Sequence, residues 1–93
     1  MIQSFGDKDT ELLFNRERVK KLPSALLQRA RNKLLIIHAA TNEEDLNIPP
    51  GNRFEKLKGD KKGWCSIRIN DQWRVVFKWE DGNARDVSIT DYH

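Results

Sequence analysis

Apolar residues in the first half of the chain recur at helical spacing. One stripe follows the intervals of three and four residues that bring side chains onto a single helix face. Its members are Leu27, Ala30, Leu34 and Ile37. Pro23 and Ser24 come just before the stripe, and both are residue types that commonly begin helices. We therefore predict a helix from Ser24 to Thr41.

Shorter elements are predicted before this helix. Met1 to Phe5 contains two large apolar residues ahead of a Gly-Asp turn signal, which predicts a first strand. Thr10 to Arg18 is predicted as a helix, with Asp7 or Asp9 available as its N-cap.

The second half of the chain alternates apolar and polar residues, which is the period of β-strands. Gly59-Asp60-Lys61-Lys62-Gly63 separates a first run from a second, and Asn70-Asp71-Gln72 separates the second from a third. This pattern predicts a three-stranded meander. Glu80-Asp81-Gly82-Asn83 marks another turn, before a last strand from Ala84 to Thr90. We expect one α+β domain over residues 1–93, because a chain of this length builds only one core.

The register of the second hairpin follows from the apolar pattern. A two-residue loop would pair Arg68 with Val75, whereas a three-residue loop at 70–72 pairs Ile67 with Val75 and gives one continuous apolar face. The same register places Arg68 directly opposite Arg74 on the other face. Like charges in this position repel each other. We interpret the pair either as a grip for an anion such as phosphate or as a solvated face with counterions.

Positive charge is concentrated in the same meander. Residues 52–78 contain eight Lys or Arg against three acidic residues, a net charge of +5, which exceeds the +3 of the whole chain. Such an excess is typical of a surface that binds a polyanion such as RNA. The candidate RNA- or phosphate-binding residues are Arg53, Glu55, Lys56, Lys61, Lys62 and Arg68.

Cysteine and histidine usage narrows the chemistry. Cys65 is the single cysteine, so an internal disulfide is impossible, and two histidines at unrelated spacing argue against a structural zinc site. The sequence lacks a signal-peptide pattern and any apolar run near the ~20 residues that span a bilayer. We expect a cytoplasmic protein that uses no metal or other cofactor and does not attach to a membrane.

Three groups capable of proton transfer follow the last predicted strand. They are Asp91, Tyr92 and His93. If the strand holds them in place, they reach the sheet edge that carries Lys58, Arg68 and Arg74. The alternative is a frayed terminal tail.

Long runs of this sequence resemble a known family. The runs PPGNRFEKLKGDKKG and SIRINDQWRVVFKW, together with the terminal DYH, are similar to the HigB toxins, the killer-protein branch of the RelE/ParE superfamily of bacterial toxin–antitoxin systems. The resemblance covers essentially the full chain. It implies a RelE-like fold in which two antiparallel helices pack on a mostly antiparallel sheet of about five strands.

The resemblance also implies an activity and partners. The implied activity is that of an endoribonuclease that cuts messenger RNA on the translating ribosome and so inhibits translation. The implied partner is a HigA-like antitoxin with a helix-turn-helix domain, through which alone the toxin is associated with operator DNA.

Particular residues inherit roles from the resemblance. Lys58, Arg74 and Tyr92 fall on positions that are implicated in cleavage in the family, and Asp91 and His93 complete the terminal motif.

Two positions depart from the pattern of the family. Glu55 stands where some members carry a histidine, and it is a third candidate for proton transfer beside Tyr92 and His93. Trp64-Cys65 stands where many relatives carry a polar residue followed by an aromatic residue or histidine. We expect that second departure to change substrate contacts rather than chemistry.

These residues fit RNA cleavage by attack of the 2′-hydroxyl on the adjacent phosphorus, without a metal ion. Lys58 and Arg74 would stabilise the negative charge that develops on the phosphate, and Arg68 would add a clamp. Two alternatives remain open. One is a ParE-like poison of DNA gyrase, and the other is a basic RNA- or ribosome-binding protein without catalytic activity.

Overall fold

Three helices pack against a four-stranded antiparallel sheet in the computed structural model, which describes residues 1–92. The helices are α1 (Lys8–Phe14), α2 (Leu27–Ala39) and α3 (Glu43–Leu46). The strands are β1 (Glu55–Lys56), β2 (Trp64–Arg68), β3 (Trp73–Glu80) and β4 (Asn83–Asp91), which lie in sequence order across the sheet. The predicted α+β fold is confirmed.

Helix α2 supplies the apolar stripe that the sequence predicts. Ala30, Leu34 and Ile37 are fully buried against the sheet. A 3₁₀ turn over Ser24–Leu26 precedes the helix, and the α-helical part ends at Ala39, two residues before the predicted end. Within residues 1–92, no helix combines the length and the apolar composition that crossing a membrane requires.

Helix α1 ends four residues earlier than predicted. Asp7 is its N-cap, as expected. At the other end Arg16 adopts a φ of 68°, and the N–H groups of Arg16 and Glu17 donate to the carbonyls of Leu13 and Leu12 at 3.0 and 2.9 Å. This pair of bonds is a Schellman motif, in which a left-handed residue terminates the helix. Because the residue is arginine rather than glycine, the sequence carries no stop signal there.

The N-terminal segment pairs with β4 through two isolated contacts rather than as a regular strand. Ile2 and Phe5 form parallel bridges with Ala84 and Val87. The N–H of Gly6 donates to the Val87 carbonyl at 2.8 Å. The segment predicted as the first strand therefore lies beside β4, in a fifth position at that edge of the sheet, without forming a regular strand.

The β2–β3 hairpin has the predicted register. Ile67 pairs with Val75, and Arg68 pairs with Arg74. Six helix-facing residues of the hairpin are buried, and Trp79 near the end of β3 is partly buried. The six are Cys65, Ile67, Ile69, Trp73, Val75 and Phe77. The two arginines lie on the opposite face, where the candidate chemistry is also found.

A β-bulge interrupts the pairing of β3 with β4. Val76 pairs with Ser88 and Lys78 pairs with Arg85, so β4 carries one residue more than β3 between these pairs. Asp86 lies in the bulge with a φ of 51°. Bulges bend a strand and redirect its side chains. Through this bulge, Asp86 lines a pocket on the sheet face that the helices do not cover.

Candidate active site

Arg74 is buried on the sheet face opposite the helices, with only 9% of the residue exposed. Its Nε donates to the Ser66 hydroxyl at 2.8 Å, and its Nη2 donates to the Arg53 carbonyl. Glu55 Oε1 lies 3.8 Å from Nη1, an ion-pair distance beyond hydrogen-bonding range. Within residues 1–92, the fold uses the Nε and Nη2 donors, and Nη1 makes no hydrogen bond, so it can meet a ligand.

A shallow pocket of about 350 Å³ opens above this guanidinium. We call it the cationic pocket, and its lining residues are Arg53, Glu55, Arg68, Asn70, Asp71, Arg74 and Tyr92. Three guanidiniums face two carboxylates, which leaves a net positive charge. Asp71, the ion-pair partner of Arg68, has a side chain that is 98% exposed. Water screens such a pair strongly, so Arg68 retains capacity for an anion.

The end of β4 brings a phenol to this pocket. The Tyr92 N–H donates to the Gln72 carbonyl at 2.6 Å, and Gln72 Nε2 donates to Asp91 Oδ2 at 3.1 Å. Both bonds attach the end of β4 to the β2–β3 loop. The Tyr92 ring centroid lies 6.0 Å from Arg74 Cζ, within cation–π range. Asp91 and Tyr92 are thus anchored, and His93 lies outside the described residues.

A second pocket of about 440 Å³ lies on the same sheet face, and Tyr92 lines both. We call it the sheet pocket. Its residues come from the N-terminal segment, the β1–β2 connection and strands β2 to β4; they are Gly6, Leu57, Lys61, Trp64, Val76, Asp86, Ser88, Thr90 and Tyr92. Lys61 Nζ lies 5.1 Å from the centroid of the Trp64 ring. This predicted phosphate-binding lysine therefore lies at the neighbouring pocket rather than in the cationic one.

The other predicted lysines lie elsewhere. Lys58 is exposed at the start of the 3₁₀ turn Gly59–Lys61, and among the described residues the lining of the two pockets does not include it. Lys56 pairs with Glu43 at 3.0 Å, and Lys56 and Lys62 line a separate pocket. The structure thus divides the basic residues of the meander among several surfaces. In residues 1–92, no three His, Cys, Asp or Glu side chains are grouped as metal ligands would be.

Ser66 is a site residue that sequence reasoning missed. It is fully buried, and its hydroxyl and carbonyl both accept hydrogen bonds from Arg74, at 2.8 and 3.4 Å. The alternation of β2 already placed Ser66 on the arginine face. The signal in the sequence is a small hydroxyl residue beside two facing arginines, which is suited to accept a hydrogen bond from one of them.

A buried asparagine fixes the turn that presents Arg53, and this too was missed. Asn52 is fully buried, and its Nδ2 donates to the carbonyls of Leu46 and Ile48 at 3.1 and 3.2 Å. Its Oδ1 accepts from Lys33 Nζ at 2.5 Å. Burial, and then the charges of Arg29 and Arg68, lower the pKa of Lys33. Helix α2 is therefore tied to the rim of the cationic pocket.

Comparisons with known proteins identify the family of this chain. The family of RelE-like toxins of the type II toxin–antitoxin system HigB matches residues 3–93. The chain is 48% identical over 85 residues to Toxin HigB-1 of Vibrio cholerae, which covers 90% of each protein. It is 33% identical over 93 residues to Endoribonuclease HigB of Proteus vulgaris, which covers 100% of each.

Solved structures share the fold. A mutant of YafQ from E. coli superposes with a TM-score of 0.64 at 17% identity, over 98% of this chain and 91% of that one. The YoeB–YefM complex from Staphylococcus aureus gives a TM-score of 0.62 at 18% identity, over 100% and 98% of the two chains. Identities this low show the fold alone, but the family match and the two relatives go further. This chain belongs to the HigB family of RelE-like toxins of type II toxin–antitoxin systems.

Proposed function

We propose that this toxin is an endoribonuclease that cuts messenger RNA on the translating ribosome. The proposed reaction is attack of a 2′-hydroxyl on the adjacent phosphorus, without a metal ion. A relative that matches the full chain is named Endoribonuclease HigB. The observation that carries the proposal is the cationic pocket, in which a buried Arg74 faces the Tyr92 ring at 6.0 Å.

The first requirement of this reaction is charge stabilisation. The phosphate gains negative charge in the transition state, and donors that are already in position stabilise it most effectively. Ser66 and Arg53 hold the Arg74 guanidinium in place, so little reorganisation is needed when the charge develops. Arg68 adds a second cation at the pocket wall. Lys58 lies outside the lining, and we assign it to the substrate phosphate once RNA is bound.

The second requirement is two proton transfers. The 2′-hydroxyl loses its proton to a base, and the departing 5′-oxygen takes a proton from an acid, which leaves a cyclic phosphate and a 5′-hydroxyl. We assign the Glu55 carboxylate as the base, because it lines the pocket 3.8 Å from Arg74. We assign the Tyr92 phenol as the acid, with His93 as the alternative donor. General acid–base groups typically contribute about 10²–10⁴-fold each.

In this proposal the ribosome positions the RNA strand, because the few catalytic groups of the toxin cannot hold it in line for attack by themselves. A strand held in line for attack gains a large effective molarity. We further propose a HigA-like antitoxin with a helix-turn-helix domain as the partner, with operator DNA bound only through that antitoxin. Two findings support a protein partner. The family consists of toxins of type II toxin–antitoxin systems, and the YoeB–YefM complex contains a protein with this fold bound to a second protein. Because ribosomes are cytoplasmic, we also propose a cytoplasmic location for the toxin.

Primer extension on a message translated by purified ribosomes tests the proposal. Glu55→Gln and Tyr92→Phe should each slow cleavage by about 10²–10⁴-fold, because each removes one proton transfer. Lys8→Gln is the matched control, since Lys8 is exposed on α1 and pairs only weakly with Glu11. A message with a 2′-deoxynucleotide at the cut site should resist cleavage, because it lacks the nucleophile.

Other outcomes would point to the alternatives. Blocked translation with an intact message would favour a basic RNA-binding protein without catalysis. Cleavage of the 2′-deoxy message at the same position would refute 2′-hydroxyl attack. Toxicity that depends on DNA gyrase, with ribosomes unaffected, would instead support the ParE-like function.

A further inference from the structure

The sheet pocket adjoins the cationic pocket, and the proposed nuclease function does not use it. Its volume of about 440 Å³ lies within the range of about 300–1,000 Å³ that is usual for small-ligand sites. We propose that this pocket takes one unstacked base of the RNA beside the scissile phosphate, and that it favours bases with an exocyclic amino group over uracil. The inference rests on the proposed function and deepens it by assigning a specificity site.

The shared tyrosine sets the spacing between the two pockets. Tyr92 lines both, so a phosphate in the cationic pocket and a base in the sheet pocket belong to the same or adjacent nucleotides. The Tyr92 residue is 44% exposed and can present its ring to a ligand. Proteins that read single-stranded RNA commonly splay a base out and stack it on an aromatic side chain.

Trp64 supplies a second flat surface. Its indole is partly buried, and Lys61 Nζ lies 5.1 Å from the ring centroid, which favours the observed ring position. Leu57 and Val76 add apolar surface to the lining. An aromatic and aliphatic lining of this kind suits a nucleobase, whose faces are apolar and whose edges are polar.

The polar edge of the pocket carries an aspartate, Asp86, whose backbone is held in place by the N-terminal segment. Asp86 lines it with a φ of 51°, and its backbone N–H donates to Ser4 Oγ at 2.9 Å. A Cβ on Gly6 would lie 3.0 Å from the Asp86 carbonyl, so the N-terminal segment packs closely on the bulge. An ionised carboxylate can only accept hydrogen bonds. Adenine, cytosine and guanine offer an exocyclic amino group to this acceptor. Uracil offers only its N3–H, which lies between two carbonyl oxygens that repel a carboxylate.

Binding of the four nucleoside 3′-monophosphates tests this site without any cleavage. The indole N–H signal of Trp64 in ¹H–¹⁵N spectra, assigned with Trp64→Phe, reports occupancy. We expect the adenosine, cytidine and guanosine nucleotides to shift this signal and to bind about tenfold more tightly than the uridine nucleotide, the usual scale of one charge-assisted hydrogen bond. Asp86→Asn should reduce that preference to about twofold or less, because an amide can also donate to the uracil carbonyl.

Asp81→Asn is the matched control. Asp81 is also an exposed aspartate with a positive φ, 53°, but it lies in the β3–β4 turn and does not line the sheet pocket. This variant should keep the tenfold preference. A loss of preference in Asp81→Asn equal to that in Asp86→Asn would overturn the assignment, because net charge rather than the pocket would then explain it.

The same variants separate this inference from the nuclease proposal. Nucleotide binding with the expected preference, in a protein that never cuts a message, would support the base pocket and refute the nuclease function. Message cleavage with a base preference at the cut site that Asp86→Asn leaves unchanged would refute the base pocket alone. A Trp64 signal that responds to the antitoxin but to none of the nucleotides would also overturn it, since the pocket would then bind protein.

Discussion

Arg68 and Arg74 face each other across two strands, yet the structure predicts that removing Arg74 destabilises the protein much more than removing Arg68. Arg74 is 9% exposed and donates to Ser66 and to Arg53, which holds the segment before β1 against the sheet. Arg68 has a partner, Asp71, that is almost entirely in water. Arg68→Ala and Arg74→Ala therefore form a matched pair with the same side-chain change in the same sheet.

The expected difference follows from the contacts. Arg74→Ala loses two short hydrogen bonds from a charged donor and leaves their acceptors without that partner, which should lower the free energy of unfolding by about 2–4 kcal/mol. Arg68→Ala loses a solvent-exposed ion pair, which contributes less than about 1 kcal/mol. In a domain of this size, the first change should lower Tm by roughly 10–25 °C.

Urea unfolding monitored by tryptophan fluorescence measures both variants. Trp73 is buried and directly precedes Arg74 in β3, so its fluorescence reports on that strand. The midpoint should fall clearly for Arg74→Ala at an unchanged slope, and it should hardly move for Arg68→Ala. Free energies of unfolding that agree within about 0.5 kcal/mol between the two variants would refute the structural role assigned to Arg74.

Two further predictions concern groups outside the cationic pocket. Burial raises the pKa of the Cys65 thiol to about 11, so iodoacetamide at pH 8 should alkylate the native protein at least about tenfold more slowly than the urea-unfolded protein; equal rates would contradict burial. Asp7→Ala should cost about 1 kcal/mol by removing the cap on the Thr10 N–H. Burial raises the pKa of Asp7, but hydrogen bonds from Thr10 and Lys21 outweigh it and hold that pKa below its ordinary 3.8. This contribution is therefore present above pH 4 and is lost as the pH falls through the folded value, so acid titration of unfolding should be shallower in Asp7→Ala.

Short-range patterns accounted for most of the fold. The stripe of α2 and the register of the β2–β3 hairpin depend on neighbours a few residues apart, and both were confirmed. The end of α1 was wrong because Arg16 adopts a left-handed conformation without a glycine to signal it. The bridges of Ile2 and Phe5 depend on β4, some 80 residues away, and no local pattern specifies them.

Only part of the geometry of the candidate site could be predicted from the sequence. The alternation placed Arg74 and Arg68 on one face. Arg53, Glu55 and Tyr92, which the sequence analysis also named, line the same pocket. The burial of Arg74 could not be foreseen, because it requires the chain at residues 53–55 to fold over the sheet. The lysines lie on separate surfaces, which the sequence did not predict, because the charge density of a segment does not show which way each side chain points.

The burial of Arg74 has a consequence for genetics. In a selection for cells that survive toxin expression, the proposed function allows two explanations for a surviving Arg74 variant. The protein either no longer folds or no longer cleaves RNA, and survival alone cannot distinguish the two. Tyr92 is 44% exposed and offers a cleaner choice. Purifying the toxin with its antitoxin requires an inactive variant that still folds and accumulates. Such a variant is better sought at Tyr92 than at Arg74.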